Sequence, residues 1–288
     1  MNPERSTELL WGAAGQRGGL NLAAIVRAGI ELADAEGLAG VSMRRVAERL
    51  GYTTMSLYRH VPGKAELVDL MRDAVLGDGP EIAPGPGAGW RERLELWARE
   101  ALECYRRHPW LLDSSGVRHV PGPNAVAGFE WALGVVSGTG LGAAQVVAVV
   151  ELVGGFVESA ARRVVEAARV ERRTGVGDEE WWGKREALWV HMDRYPTLSR
   201  IYRDGGYDAP LDPFEFGLQR VLDGVEVLVR EGLELGIRDE TRDETRDDSG
   251  DGRMCGVCGK VIEEAVTGRR REYCSRACQQ RAYRRRKA

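Results

Sequence analysis

The sequence predicts an all-α protein with a small cysteine-stapled module at its C-terminus, and three observations carry that prediction. Apolar residues recur at i, i+3, i+4 and i+7 from residue 21 to about 235, and no strand alternation precedes residue 255. The stretch Ser42–Lys64, SMRRVAERLGYTTMSLYRHVPGK, reads as two short helices about a glycine turn. Four of the five cysteines fall within the last 34 residues.

Residues 1–20 carry Leu9, Leu10 and Trp11 followed by glycines and Arg17, and read as a mobile arm. Asn21 is placed to cap the first helix, in which Leu22, Ile25, Val26, Gly29, Ile30 and Ala33 share a face and which Gly37 ends. Ser42 caps the second helix, whose inward face is Val46, Ala47 and Leu50. Gly51 supplies the left-handed residue that ends it, and Thr53 caps the third helix, Thr54–Val61. Leu57 and Val61 point inward, leaving Thr54, Met55, Ser56, Tyr58, Arg59 and His60 outside. Hydroxyls, a methyl-rich side chain and a guanidinium suit a major-groove face. The window holds five basic residues, Arg44 among them, against one acid, Glu48, which adds phosphate attraction. A fourth helix runs from Lys64 to about Leu76, and Lys64 together with the free amides at its start favours a phosphate. These helices make a three-helix helix-turn-helix domain with a connecting helix over residues 21–76.

Residues 77–89 are rich in proline and glycine and mark a domain boundary. From residue 90 to 236 the pattern is helical again. Leu94, Trp97, Ala98, Ala101, Leu102 and Tyr105 form one stripe, broken by Pro109, and Ser114–Asn124 is a turn region. Helices follow over Ala125–Val136 and Gly142–Val170, then a loop over Arg169–Asp178. A helix covers Glu179–Tyr195, ended by Pro196, and a last one spans about Pro213–Leu235. Residues 237–252 repeat RDET, with seven acids and three arginines over Arg238–Gly252, and read as an unfolded linker rather than a single solvated helix.

At 288 residues, 43% apolar and net charge −3, the chain is long enough for two domains and is no polybasic nucleic-acid binder as a whole. No uninterrupted apolar run reaches membrane-spanning length and no signal core opens the chain, so a cytoplasmic protein without a membrane partner is expected. No P-loop, GxGxxG, GxSxG or paired-carboxylate motif is present, so no enzyme activity is expected. Cys104 reads as a small buried side chain.

The segment LADAEGLAGVSMRRVAERLGYTTMSLYRHVPGKAEL resembles the DNA-binding domain of the tetracycline-repressor (TetR) family of bacterial regulators, without a gap from about Leu22 to Met71. RVAERLG and LYRHVPGK are its most specific parts, and the preceding ELLWG resembles an arm found in one branch of the family. From Trp90 onward, GW, HPWL, the GPNA turn and FEFGLQRVLDGVEVL resemble the family's ligand-binding and dimerisation core more loosely. The resemblance implies a homodimer on a palindromic double-stranded DNA operator, contacted by Arg44, Thr53, Thr54, Met55, Ser56, Tyr58, Arg59, His60 and Lys64. It also implies a small-molecule effector in a pocket drawn from Trp97, Tyr105, Phe129, Trp131, Phe156 and Trp189. Tetracycline-binding members carry a drug-contacting asparagine seven residues after the tryptophan that opens this region. Trp97 stands at that count here, which argues against metal-chelated tetracycline. Dimerisation is expected from Glu179–Tyr195 and Pro213–Leu235, with Val221, Leu222 and Val225 on the shared face.

Cys255-x2-Cys258-x15-Cys274-x3-Cys278 has the spacing of a four-thiolate metal site, and a tail this short needs such a staple. Lys260–Ala265 and Arg270–Tyr273 can pair as a hairpin, with Ser275 capping a helix that carries Cys278. The sequence therefore predicts a treble-clef or ribbon-like module over residues 253–288 holding structural zinc. Eleven bases against three acids there, including Arg281, Arg284, Arg285, Arg286 and Lys287, point to phosphate contact, with protein docking as the alternative. The function expected is a ligand-responsive DNA-binding regulator, a repressor. Its rivals are a scaffold-retaining enzyme and a zinc-dependent interaction protein with a vestigial DNA-binding domain.

Overall fold

The computed structural model describes residues 3–12, 20–78, 85, 87–114, 119–184, 191–244, 254–260, 262 and 272–287. Among the described residues the chain is helical, without a strand. It divides into two compact units, residues 1–233 and 234–288.

In the first unit, α1 (Pro3–Trp11) precedes α2 (Leu22–Glu36), α3 (Met43–Leu50), α4 (Thr54–Tyr58) and α5 (Lys64–Gly77). Local chemistry sets these boundaries as the sequence predicts. The side chains of Asn21, Ser42 and Thr53 accept from the amides of Ala24, Arg45 and Ser56. Each occupies an amide that the helix start leaves unpaired. Gly51 ends α3 in the left-handed conformation at φ 74°, which a side chain there would strain. Ile25, Leu32, Val46, Leu57, Val61, Leu67 and Met71 fill the core between α2 and α5.

Residues 3–11 are not the mobile arm that the sequence suggests. They form α1, whose Leu10 is buried in the same core and whose Ser6 hydroxyl donates to the buried Asp69 carboxylate at 2.9 Å. Trp11 Nε1 donates to the Pro121 carbonyl at 3.2 Å.

The body follows as α6 (Trp90–Arg107), α7 (Trp110–Asp113), α8 (Pro123–Ser137), α9 (Ala143–Thr174), α10 (Asp178–Gly183), α11 (Pro196–Arg203) and α12 (Pro213–Glu244). Leu94, Ala98, Leu102, Val136, Val150, Val153, Val157, Leu218, Leu222 and Val225 form its core. One 18-residue stretch of α9 has a mean hydropathy of 1.5 and is long and apolar enough to cross a membrane, which counting uninterrupted runs misses. Its apolar character serves the body core, where Val146, Val149, Val150, Val153 and Val157 are buried.

Three boundaries differ from the sequence reading. α9 continues through the expected loop to Thr174, because no helix breaker precedes Gly175, which takes φ 69°. Of the expected helix 179–195, the described residues form α10 and a short turn at Met192–Arg194, and Pro196 opens α11 at its first position instead of closing a helix. Proline lacks an amide hydrogen, so it suits a helix start as well as a stop. α12 runs to Glu244, through the first residues of the expected linker. Glu234 and Arg238 stand at i, i+4 and Asp239 and Arg242 at i, i+3, spacings that support such an extension.

The second unit carries α13 (Arg276–Lys287), and the Ser275 hydroxyl accepts from the Cys278 amide at 3.3 Å, as the sequence predicts for a cap. The expected hairpin strands lie mostly outside the described residues.

Candidate functional site

The outward face of the helix-turn-helix is built by burying its opposite side. Leu57 and Val61 are wholly buried, which turns Met55, Tyr58 and Arg59 outward, with Met55 71% exposed. Thr54, Ser56 and His60 are half-buried beside them. The helix itself is one turn shorter than expected, and Arg59 and His60 sit in the turn that follows it. Thr53 Oγ1 and Ser56 Oγ lie 3.0 Å apart, so the capping hydroxyls also order each other. Arg59 makes no ion pair among the described residues. Arg44 pairs with Glu48 at 2.7 Å with both side chains largely exposed, a weak contact that a phosphate can replace. Lys64 is exposed and donates to the Leu38 carbonyl at 2.7 Å, which anchors its stem at the start of α5.

Two polar joints connect this head to the body. The Asp34 carboxylate on α2 lies 2.8 Å from His108 Nδ1 and accepts from Trp110 Nε1 at 2.7 Å. On α5, the buried Asp73 carboxylate accepts from the amides of Ala125 at 2.9 Å and Asn124 at 3.4 Å. It thereby sits on the positive N-terminal end of α8. Gly122 belongs to the same joint, since a Cβ there would collide with the Asp73 carboxyl.

Above that joint lies a cavity of about 570 Å³ walled by α5, α6, α8 and α9. Trp97, Tyr105, Phe129 and Trp131 give it aromatic walls, and Arg72, Glu100, Arg107 and Asn124 give it polar ones. Burial pushes the Tyr105 phenol and the Cys104 thiol above their ordinary pKa values, so both stay protonated near neutrality. Burial likewise pushes the Arg72 guanidinium down.

In the second unit the sulfurs of Cys255, Cys258, Cys274 and Cys278 all lie within 4.8 Å of one another. Cys258 and Cys274 are 3.3 Å apart. Backbone amides, first that of Cys274 and then that of Val257, bring the Cys255 thiol down to about 6. The neighbouring sulfurs of Cys258 and Cys278 push Cys274 up to about 12. Four sulfurs this close cannot all become thiolates without a cation among them, and amides aimed at sulfur are what a bound thiolate needs.

The sequence profile for bacterial regulatory proteins of the tetR family matches residues 25–71, and that for the tetracyclin repressor-like C-terminal domain matches residues 83–229. The chain belongs to the TetR family. A relative from Streptomyces coeruleorubidus, the HTH-type transcriptional repressor DrrR1, is 43% identical over 235 residues, spanning 79% of this chain and 87% of that protein. An HTH-type transcriptional regulator of Saccharopolyspora erythraea is 32% identical over 205 residues, spanning 70% of this chain and 82% of its own. Among solved structures, the TetR family protein ActR of Streptomyces coelicolor in complex with actinorhodin superposes with a TM-score of 0.59 at 27% identity, covering 72% of this chain and 96% of that one.

Within this TetR architecture, Trp97, Tyr105, Phe129 and Trp131, four of the six residues expected at a pocket, line the cavity. Phe156 does not line it. Its ring stacks on Phe214 at 5.8 Å and packs α9 against α12. Trp189 lies outside the described residues. Arg72, Glu100, Arg107 and Asn124 escaped the sequence reading, although Asn124 stands in the GPNA turn that carries part of the TetR resemblance. Val225, expected on a dimer face, is 2% exposed within one chain and belongs to its core. Neither TetR profile extends to the cysteine cluster.

Proposed function

We propose that the protein is a ligand-responsive repressor that binds a palindromic double-stranded DNA operator as a homodimer and leaves it when a small molecule fills the cavity. The observation that carries this reading is that α5 serves both sites. Its N-terminal end follows the exposed face of α4, and its Arg72, Val75 and Leu76 line the cavity. A ligand that prefers one placement of α5 therefore biases where the two heads stand. A difference of about 1–3 kcal/mol between the two placements is enough for regulation. Repression is the function named for DrrR1, and ActR is a structural relative seen in ligand complexes. Chromosomal DNA as partner implies a cytoplasmic location. Regulation rather than catalysis fits the cavity, where the buried, protonated Cys104 is a poor nucleophile. Gel-shift titration of the full chain against the DNA upstream of its own gene tests the reading. A retarded complex that unlabelled random DNA does not compete away is expected, and its absence would overturn the proposal.

Dimerisation is assigned to the outward faces of α9 and α12, which expose Val147, Leu152, Phe216 and Val227. Exposed Ala144, Ala148 and Gly155 flank them on α9 and allow close helix approach. Leu152→Glu combined with Val227→Glu is expected to yield monomers with unchanged helix content, measured by light scattering and circular dichroism. A stable dimer of that variant would discard this interface.

Zinc is the metal that the cysteine cluster suits. Cys255, Cys258, Cys274 and Cys278 would hold it as four thiolates, a closed structural site that stiffens the tail. About one zinc per chain is expected by elemental analysis, with Cys274→Ser releasing it. The exposed Arg281, Arg284 and Arg285 of α13 are assigned to non-sequence-specific phosphate contact. Removal of residues 253–288 should keep operator preference and flatten the salt dependence of binding. An unchanged salt slope would favour protein docking for the tail.

A further inference from the structure

We infer that the effector is a planar aromatic molecule carrying an anionic oxygen group, and that Arg72 receives that group. This rests on the cavity being the effector site, and it concerns what the cavity selects.

Arg72 stands on α5 and lines the cavity, and its guanidinium is held beside Leu111, another lining residue. Nη1 donates to the Leu111 carbonyl at 3.2 Å and to the Ser114 hydroxyl. These neutral groups fix the fork without neutralising it. Among the described residues, Nε and Nη2 have no hydrogen-bond partner, and no carboxylate pairs with the group. The two acids nearest it on α5 are already engaged. Asp69 holds Ser6 and His119, and Asp73 holds the start of α8. Burial acts most strongly on the guanidinium charge and lowers its pKa, while the Asp69 and Glu158 carboxylates act on it only through space, so the cation lacks full hydration and a directly paired counter-charge. A planar fork with its Nε–Nη2 edge unused matches a carboxylate or a phenolate–carbonyl pair.

The other charged groups on the wall direct the ligand rather than compete. Arg107 is exposed and its Nε reaches the Glu103 carbonyl at 3.5 Å. Glu100 is half-buried, makes no ion pair among the described residues, and repels an anion from its own side of the cavity. Trp97, Tyr105, Phe129 and Trp131 supply ring faces and edges for flat fused rings.

The experiment compares two probes by calorimetry on the full chain at neutral pH. They are 4,5-dihydroxyanthraquinone-2-carboxylate and 1,8-dihydroxyanthraquinone, which share rings and hydroxyls and differ in the carboxylate. Wild type is expected to bind the carboxylate about tenfold more tightly or better, as a charge-assisted hydrogen-bond pair allows. Arg72→Gln should bring the ratio to about one, Arg72→Lys should keep part of it, and Arg106→Gln, at an exposed residue outside the cavity lining, should leave it intact. Circular dichroism verifies the fold of each variant. Equal binding of both probes to wild type overturns the inference while leaving the cavity as effector site, and so does a preference that survives Arg72→Gln. Binding of neither probe overturns the inference and the aromatic-effector cavity together, whereas a failed gel shift with intact probe binding removes only the repressor reading.

Discussion

Arg59→Ala should all but abolish operator binding while leaving the fold and the dimer intact. Arg59 is exposed, carries no internal ion pair among the described residues, and follows Tyr58 at the end of α4. Its backbone is held independently of its side chain, since the neighbouring amides of His60 and Val61 both donate to the Leu57 carbonyl at 2.9 Å. Removing the guanidinium therefore deletes the proposed contact to DNA without disturbing the scaffold. One such contact is worth about 1–3 kcal/mol, and the proposed two-fold dimer would lose it twice, so affinity should fall roughly thirtyfold or more. Tyr58→Ala should act in the same direction, being 43% exposed on the same face. Gel shifts at fixed salt measure both. Wild-type affinity for either variant would show that α4 is not the element in the groove.

Asp73→Ala is the variant expected to damage the molecule most from within. The carboxylate is buried, accepts from Ala125 and Asn124, and faces the N-terminal end of α8. Alanine leaves those amides without a partner and removes the favourable charge at the helix end, a loss of about 2–3 kcal/mol. The urea midpoint should fall accordingly, whereas Asp73→Asn, which keeps an acceptor oxygen, should fall less. Operator binding by the surviving folded protein should persist, but ligand should release it poorly, because α5 no longer follows α8. Stability within about half a kcal/mol of wild type would remove Asp73 from the joint.

The parts legible in the sequence are those decided by neighbours along the chain. Asn21, Ser42, Thr53 and Ser275 each bond an amide three residues on, and Gly51 needs only its own dihedral. The four cavity aromatics were legible as large apolar side chains on helix stripes. What escaped depends on distant partners. α1 is tied through Ser6 to a carboxylate 63 residues away and through Trp11 to a carbonyl 110 residues away, so its sequence alone resembles a loose arm. Arg72 lies on a helix that belongs to the head by pattern and to the cavity by position. Val225 shows the limit of a hydrophobic stripe, which marks burial without saying whether the same chain or a second copy covers it.

The pair of carboxylates that fasten the head, Asp34 against His108 and Trp110 and Asp73 against the start of α8, bears on how such proteins can be recombined. A head grafted onto a foreign body carries one half of each joint. Splicing within residues 77–89 separates Asp34 and Asp73 from His108, Trp110, Asn124 and Ala125. Chimaeras joined there should sense ligand only when the recipient body supplies an indole or imidazole facing Asp34 and free helix-start amides facing Asp73. A recipient lacking them should bind DNA and ignore its ligand. Portability of the sensor is thus set by two hydrogen-bonding matches across the seam, one to side chains and one to backbone amides, and much less by where the seam is cut.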